Sequence, residues 1–171
     1  MKILVTGCAG FIGYHLTSLL ISKKNKIYGI DNLNNYYSVK LKKDRLREIK
    51  KKAKKNNFFF KFEKIDISDS KKLTLIFKKN KFDVVINLAA QAGIRFSIKN
   101  PTQYLKSNLI GFFNLINLSK NFKIKHFIYA STSSVYGMNN KLPYKEDLNT
   151  DCPLQFYAAT KKSNEVIAHS Y

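Results

Sequence analysis

The stretch Thr6-Gly7-Cys8-Ala9-Gly10-Phe11-Ile12-Gly13 constrains this chain more than any other part of it. It follows a short aliphatic run, Lys2–Thr6, and opens a segment with apolar residues at Phe11, Ile12, Leu16, Leu19 and Leu20, the spacing of one helix face. A strand that enters a helix through three glycines lets backbone amides approach a pyrophosphate, whose charge the positive end of the helix dipole then stabilises. The spacing is GxxGxxG rather than the commoner GxGxxG, and a glycine-rich turn by itself also serves tight packing. Context strengthens it. A second strand, Lys26–Ile30, ends at Asp31, near the offset of roughly 20 residues expected of a carboxylate that binds the adenosine ribose hydroxyls. A carboxylate there repels a 2′-phosphate, which favours NAD over NADP; the plainer reading of Asp31 is a turn or capping residue.

The rest of the chain repeats the alternation. Strands are expected at Phe58–Ile65, Phe82–Ala89 and Ile124–Ser131, and helices over Lys40–Lys55, Ser70–Lys79, Thr102–Asn121 and Phe156–Tyr171, with Gly137–Pro153 as loop. Alternating strands and helices imply right-handed crossovers and a parallel sheet covered on both faces. The expected fold is therefore α/β, a Rossmann-like doubly wound sheet of about five strands in the order 3-2-1-4-5. The pattern stops inside a helix, so residues 1–171 read as the N-terminal, dinucleotide-binding portion of a longer protein whose substrate-binding domain is missing.

Composition narrows the class further. No apolar run approaches the roughly 18 residues of a membrane span, and the opening run is too short for a signal peptide. Cys8 and Cys152 lack metal-ligand spacing, so neither a metal site nor a disulfide framework is expected, and a reducing cytoplasmic setting fits. The net charge of +20 invites a nucleic-acid reading. Its cations are nearly all lysine, however, and much of the excess lies in Lys40–Lys55, where Leu41, Leu46, Ile49 and Ala53 form an apolar stripe. A docked helix with a solvated basic face explains that without nucleic acid. The rival, a basic non-catalytic module that binds nucleic acid or senses NAD, would have to bind DNA or RNA tightly at physiological salt.

In an open parallel sheet, ligands lie beyond the carboxyl ends of the strands. Asp66 ends the third strand and Asn87-Leu88-Ala89-Ala90 the fourth, placing both to touch a cofactor, although Asp66 also suits a helix cap. Ser131-Thr132-Ser133-Ser134 ends the fifth strand and precedes Tyr157-Ala-Ala-Thr-Lys161. A tyrosine and a lysine four apart share a helix face, and the ammonium favours the phenolate, the form that accepts a proton. Thr132 supplies a hydroxyl that can complete a proton relay. Chance also produces such pairs among 10 tyrosines and many lysines, and Tyr36/Lys40 is one. Position separates them, since only Tyr157/Lys161 follows a hydroxyl cluster at a late strand end.

Together, TGCAGFIG, Asp31-Asn32, LAAQAGIR at 88–95, STSSVYG at 131–137 and YAATK at 157–161 resemble the extended short-chain dehydrogenase/reductase family, over the whole chain and in the family's order. DNLNNYY at 31–37, LAAQAGIRFS at 88–97, SSVYGMNNKLPY at 134–144 and YAATKKSNE at 157–165 resemble its UDP-glucuronate 4-epimerase branch. The resemblance implies tightly bound NAD, a UDP-sugar substrate and a place in polysaccharide biosynthesis. It makes Tyr157 the base, Lys161 its electrostatic partner and a ribose ligand, and Thr132 the assisting hydroxyl. Phe11 and Ile12 would lend amides to the pyrophosphate, within the Gly7, Gly10 and Gly13 turn. Asp31, Asn32 and Asn35 would hold the adenosine ribose, Asp66 and Ile67 the adenine, and Leu88, Ala89 and Ala90 the middle of the cofactor. Ser107 stands where relatives often carry an Asn that contacts NAD.

The implied reaction is reversible: the sugar C4 hydride passes to NAD, the 4-ketose turns over, and the hydride returns to its other face. Related dehydratases carry an Asp-Glu pair after the catalytic Thr; here Ser133 and Ser134 stand in those positions as substrate contacts, which argues for epimerisation. UDP-glucose 4-epimerase and nucleotide-sugar dehydratase remain alternatives. Arg95 either meets the sugar carboxylate or cofactor phosphates, or is a surface residue. The missing half implies a fragment that is inactive alone. The helices Thr102–Asn121 and Phe156–Tyr171 match those that pair relatives into homodimers.

Overall fold

The computed structural model describes residues 1–139 and 141–171; within the 134–144 motif, Asn140 lies outside the described residues. Five parallel strands, β1 (Lys2–Thr6), β2 (Lys26–Asp31), β3 (Phe60–Lys64), β4 (Val84–Asn87) and β5 (His126–Tyr129), form one sheet in the order β3-β2-β1-β4-β5. The expected order is therefore the observed one. Alternation along β1 explains the two-sided core. Leu4 joins Ile30 and Val85 against Leu73, Phe77 and Leu115, while Ile3 and Val5 join Ile27 and Ile86 against Ile21, Leu46 and Ile49. The second set rests on helices α1 (Phe11–Ser22) and α2 (Val39–Lys55), the first on α3 (Ser70–Lys79) and on a helix further along. Asp69 caps α3, its side chain accepting from the Lys72 amide at 3.0 Å.

Between β4 and β5 the chain departs from a single regular helix. A short α4 (Ile94–Lys99) comes first, then α5 (Pro101–Tyr104), a π-helical stretch over Leu105–Gly111, and α6 (Phe112–Asn121). A 3-10 turn, Ser133–Tyr136, follows β5, and α7 (Phe156–Ser170) comes last. The expected strands at Phe82–Ala89 and Ile124–Ser131 are longer than β4 and β5, because apolar residues continue past the last ladder bond into packed loops.

One expectation about α2 is corrected. Leu46, Ile49 and Ala53 are buried as anticipated, but Leu41 is 44% exposed and Lys42, 4% exposed, takes the inward place. Positions 42, 46, 49 and 53 keep helical spacing better than 41, 46, 49 and 53 do. Lys42 tolerates the position because its stem is aliphatic and its ammonium finds oxygens on Asn34.

Candidate dinucleotide and substrate site

The glycine turn is fixed by what a side chain would strike. Gly7 sits at φ +68°, and a Cβ there would lie 2.7 Å from the Ala89 amide nitrogen, so β1 and β4 can close together only over a bare backbone. A Cβ on Gly13 would enter the Gly7 carbonyl, so α1 starts directly on the turn. Gly10 has room on its outer side and precedes α1, whose N-terminus has neither a side-chain cap nor an acidic residue in its first turn. Its first amides therefore keep donors available to an anion. Thr6 ties the turn to β4, its hydroxyl donating to Asn87 Oδ1 (2.6 Å) and accepting from the Ala89 amide (3.1 Å).

Gly7, Gly10, Asp31, Asn32, Ile67, Leu88, Ala89, Ala90 and Ser107 line one crevice of about 150 Å³ across the carboxyl edge of the sheet. Asp31 is buried; its Oδ2 accepts from the Ala9 amide (3.2 Å) and its Oδ1 from the Leu33 amide (2.8 Å), so it holds the turn while facing the crevice. Asn32 donates to Asp66 (3.2 Å). Asp66 stands behind the lining residues, its other oxygen taken by the amide and hydroxyl of Ser68 at 2.9 and 2.7 Å. Burial works against its charge, but these bonds, Asn32 and the Lys106 ammonium outweigh it and keep the carboxyl below its ordinary pKa. Asp66 thus serves its own turn and reaches the crevice only through Asn32. Asn35 is exposed and outside the lining, whereas Asn34 is part of it. Phe11 and Ile12 project outward, 66% and 60% exposed, so only their backbone can serve a ligand at the turn.

Tyr36 lines this crevice and also a second, wider one of about 630 Å³, formed with Gly93, Arg95, Ser134 and Tyr157. The Tyr157 ring meets Tyr104 edge-on at 6.0 Å. One helical turn on, Lys161 is 4% exposed, and among the described residues its ammonium makes no hydrogen bond or ion pair. Burial pushes its pKa down to about 8, which Glu165 only partly opposes. Thr132 accepts from the Ser134 amide at 3.3 Å and caps the 3-10 turn, while Ser133 is exposed. Arg95 lies exposed on the rim. No cluster of metal-ligating side chains occurs among the described residues.

Several participants have no signature in the sequence. Asn108, buried in the π-helical stretch, accepts from the Gln91 amide (2.8 Å) and donates to the Gln91 carbonyl and Thr160 Oγ1 (both 3.0 Å). Its own carbonyl accepts from Asn164 (2.7 Å). This fully satisfied network locks α7, and with it Tyr157 and Lys161, to the end of β4. A wide helical turn of this kind is common at functional sites. The one readable hint is an Asn among apolar helix positions. Lys42 and Arg45 likewise reach this region from α2 without any motif.

A bare glycine cradle, an uncapped helix start and a buried lysine whose ammonium makes no bond among the described residues all fit a dinucleotide on a Rossmann-type sheet. The profile of the GDP-mannose 4,6 dehydratase family matches residues 4–171, and the chain belongs to that family of NAD-dependent epimerases and dehydratases. It is 50% identical over 171 residues to Protein CapI of Staphylococcus aureus, covering 100% of this chain and 49% of that protein. It is 45% identical over 168 residues to a UDP-glucuronate 4-epimerase of Thermodesulfobacterium geofontis, covering 98% and 50%. The crystal structure of UDP-glucuronic acid 4-epimerase from Bacillus cereus, in complex with UDP-glucuronic acid and NAD, superposes with a TM-score of 0.83 at 35% identity, covering 100% of this chain and 52% of that one. The chain spans about half the length of the curated relatives it matches.

Proposed function

We propose that this chain carries the cofactor-binding part of an NAD-dependent nucleotide-sugar 4-epimerase that interconverts UDP-glucuronate and UDP-galacturonate. The observation that carries the reading is that a crevice with a glycine turn at one end and a bowl walled by Tyr157 share Tyr36 as a lining residue. The named relatives and the B. cereus complex supply the substrate class.

In this reading the first amides of α1, at Phe11 and Ile12, hold the pyrophosphate. Asp31 and Asn32 hold the adenosine ribose, with Asn34 beside them in the lining. Ile67 and Asp66 flank the adenine, and Leu88, Ala89, Ala90 and Ser107 the middle of the dinucleotide. A nicotinamide beside Tyr157 supplies the hydride acceptor that reversible oxidation at C4 requires. Tyr157 takes the proton from the sugar 4-hydroxyl and gives it back, with Thr132 hydrogen-bonding the same oxygen. Lys161 donates to the nicotinamide ribose and favours the phenolate. Ser133 and Ser134 contact the sugar and carry no acid for eliminating water, which supports epimerisation over dehydration. Arg95 on the rim offers a partner for the sugar carboxylate.

Residues 1–171 form the NAD domain, and a further lobe of the kind its relatives' length allows grips the nucleotide sugar. We also propose a homodimer through the neighbouring exposed side chains Ile110, Phe113 and Val166, 52%, 47% and 59% exposed. The described residues contain no helix long and apolar enough to cross a membrane. A cytoplasmic enzyme that provides sugar acids for polysaccharide fits.

The test has two parts. The 171-residue chain should bind NAD⁺ yet leave UDP-glucuronate unconverted. Joined to a substrate lobe, it should epimerise UDP-glucuronate and leave UDP-glucose and dTDP-glucose untouched. Dehydration of dTDP-glucose or preference for UDP-glucose overturns the substrate assignment, and epimerisation by the isolated chain overturns the division between lobes.

A further inference from the structure

The positive charge of this chain is unevenly placed. Residues 36–82 hold 17 of its 31 lysines and arginines, so over half the cations fall in little more than a quarter of the length. Many converge on the outer edge of β3, a strand that pairs only with β2. Lys61 and Lys64 stand exposed on that strand. On α2, Lys50 reaches over the Phe62 ring of β3, 5.7 Å from its centroid, while Arg45 and Lys52 bond to Ala9 and Ser18 on the other side of the helix. Lys43, Arg47 and Lys54 share the Lys50 side by helical spacing, and all are exposed. On α3, Lys72 and Lys79 line a groove with Glu63 and Lys64 of β3.

Carboxylates answer only part of this charge. Arg47 pairs with Asp44 (3.1 Å), Lys61 with Glu63 (2.9 Å) and Lys72 with Asp69 (3.3 Å). Lys43, Lys50, Lys54, Lys64 and Lys79 have no ion pair among the described residues. Lysines on an edge strand discourage pairing with another chain, which accounts for Lys61 and Lys64 but not for three unpaired cations on the helix beside them. Apolar side chains stand in the same region: Phe59 is 42% exposed and Leu75 56%. Point charges with apolar groups among them match an anionic headgroup layer, into which apolar side chains sink while lysines meet phosphates at no fixed spacing. A nucleic-acid backbone favours planar guanidinium forks and aromatic stacking platforms, and here seven of the eight cations are lysine.

We propose that the β3 edge, with the flanks of α2 and α3 beside it, is a docking face for an acidic phospholipid surface. None of its eight cations lines the dinucleotide crevice or the wider one that shares Tyr36. Docking therefore uses no group assigned to the nucleotide, and the inference is independent of the cofactor reading. An attraction of about 1 kcal/mol per lysine near an anionic leaflet corresponds to roughly fivefold in partitioning for each.

Co-sedimentation with phosphatidylcholine vesicles, with and without equimolar phosphatidylglycerol, tests this. The chain should partition onto the anionic vesicles roughly tenfold or more above the neutral ones, and raising salt from about 0.1 to about 0.5 M should remove most of that binding. Lys50→Gln combined with Lys54→Gln should cut partitioning roughly twentyfold to thirtyfold. Lys120→Gln combined with Lys123→Gln removes the same charge beside β5, and should change partitioning by less than about threefold. All four side chains are exposed, so thermal unfolding should be the same in both double variants and in the wild-type chain. Equal losses from the two pairs would make net charge responsible rather than this face, and would overturn the proposal. Binding indifferent to phosphatidylglycerol would overturn it as well. So would an RNA of about 30 nucleotides that strips the chain from anionic vesicles at micromolar concentration, which would assign the face to nucleic acid.

Discussion

At the adenosine end, the walls of the crevice are backbone and buried polar groups: the Gly7 turn closed against Ala89, Asp31 accepting two amides, and Lys42 seated on Asn34. At the end proposed for the sugar, Tyr157, Ser134 and Arg95 stand around a wider opening, with Arg95 and Ser133 exposed. The first end is built mainly by segments within about the first 90 residues, braced by Lys106 on Asp66 (3.7 Å) and by Asn114 on the Ile67 carbonyl (3.1 Å). The second has its reactive groups anchored from below, through Asn108 and Thr160, but little to enclose a sugar above them. On the function proposed above, chemistry and enclosure come from different parts of the protein. The cofactor site can be preorganised before any substrate surface exists, and electrostatic catalysis gains most once water is excluded.

The comparison breaks most visibly at Tyr157. With a substrate lobe supplied, Tyr157→Phe should cut turnover by roughly 10²- to 10⁴-fold, the range for losing a general base, while NAD⁺ affinity measured by titration moves less than about threefold. A parallel loss of NAD⁺ binding would mean that the two ends are not separable.

Next comes the turn. Gly13→Ala pushes a methyl into the Gly7 carbonyl and should lower unfolding stability by roughly 3 kcal/mol or more in a denaturant titration. Gly10→Ala, whose methyl meets the Gly7 carbonyl at 3.0 Å but is otherwise open, should leave most of the stability and weaken NAD⁺ instead. Equal melting of both variants would contradict the assignment of packing to Gly13 and ligand approach to Gly10.

Lys161 provides a pH signature. Its pKa in the folded chain is about 8 against an ordinary 10.5, so below pH 8 the fold carries a desolvated ammonium. Between about 8 and 10.5 the unfolded chain binds more protons, and stability rises with pH across that window. Lys161→Met should therefore stabilise the NAD-free chain at pH 7, by on the order of 2 to 3 kcal/mol, and remove that part of the rise. A variant less stable than wild type at pH 7, with the same pH slope, would contradict the burial cost. Smallest is Arg95→Ala: folding should change by less than about 0.5 kcal/mol because the side chain is exposed, and with the lobe present KM for UDP-glucuronate should rise while kcat is nearly kept.

Much of this was legible from local chemistry. Alternation and right-handed crossovers give a doubly wound parallel sheet, the Rossmann-type glycine turn selects its strand order, and that turn, Asp31 and the Leu88–Ala90 strand end stand where strand-end logic puts them. What was not legible depends on long-range contacts. Leu41 and Lys42 differ by one position on α2, and only the Asn34 oxygens decide which turns inward. The π-helical widening over Leu105–Gly111 carries no propensity signal, and the bonds of its Asn108 to Gln91 and to Thr160 on α7 are contacts distant in sequence. Asn34 rather than Asn35 lines the crevice because Lys42 draws Asn34 inward, a choice two adjacent asparagines cannot reveal in sequence.

The central claim is that a dinucleotide runs from the glycine turn to Tyr157 with Lys161 beneath it. A crystal structure of the chain grown with NAD⁺ measures this directly. The account predicts the pyrophosphate on the first amides of α1, Asp31 on the adenosine ribose, and Lys161 Nζ within about 3 Å of a nicotinamide-ribose hydroxyl, with the nicotinamide facing Tyr157. A dinucleotide bound elsewhere, or one whose nicotinamide end lies away from Tyr157 and leaves Lys161 untouched, would contradict it.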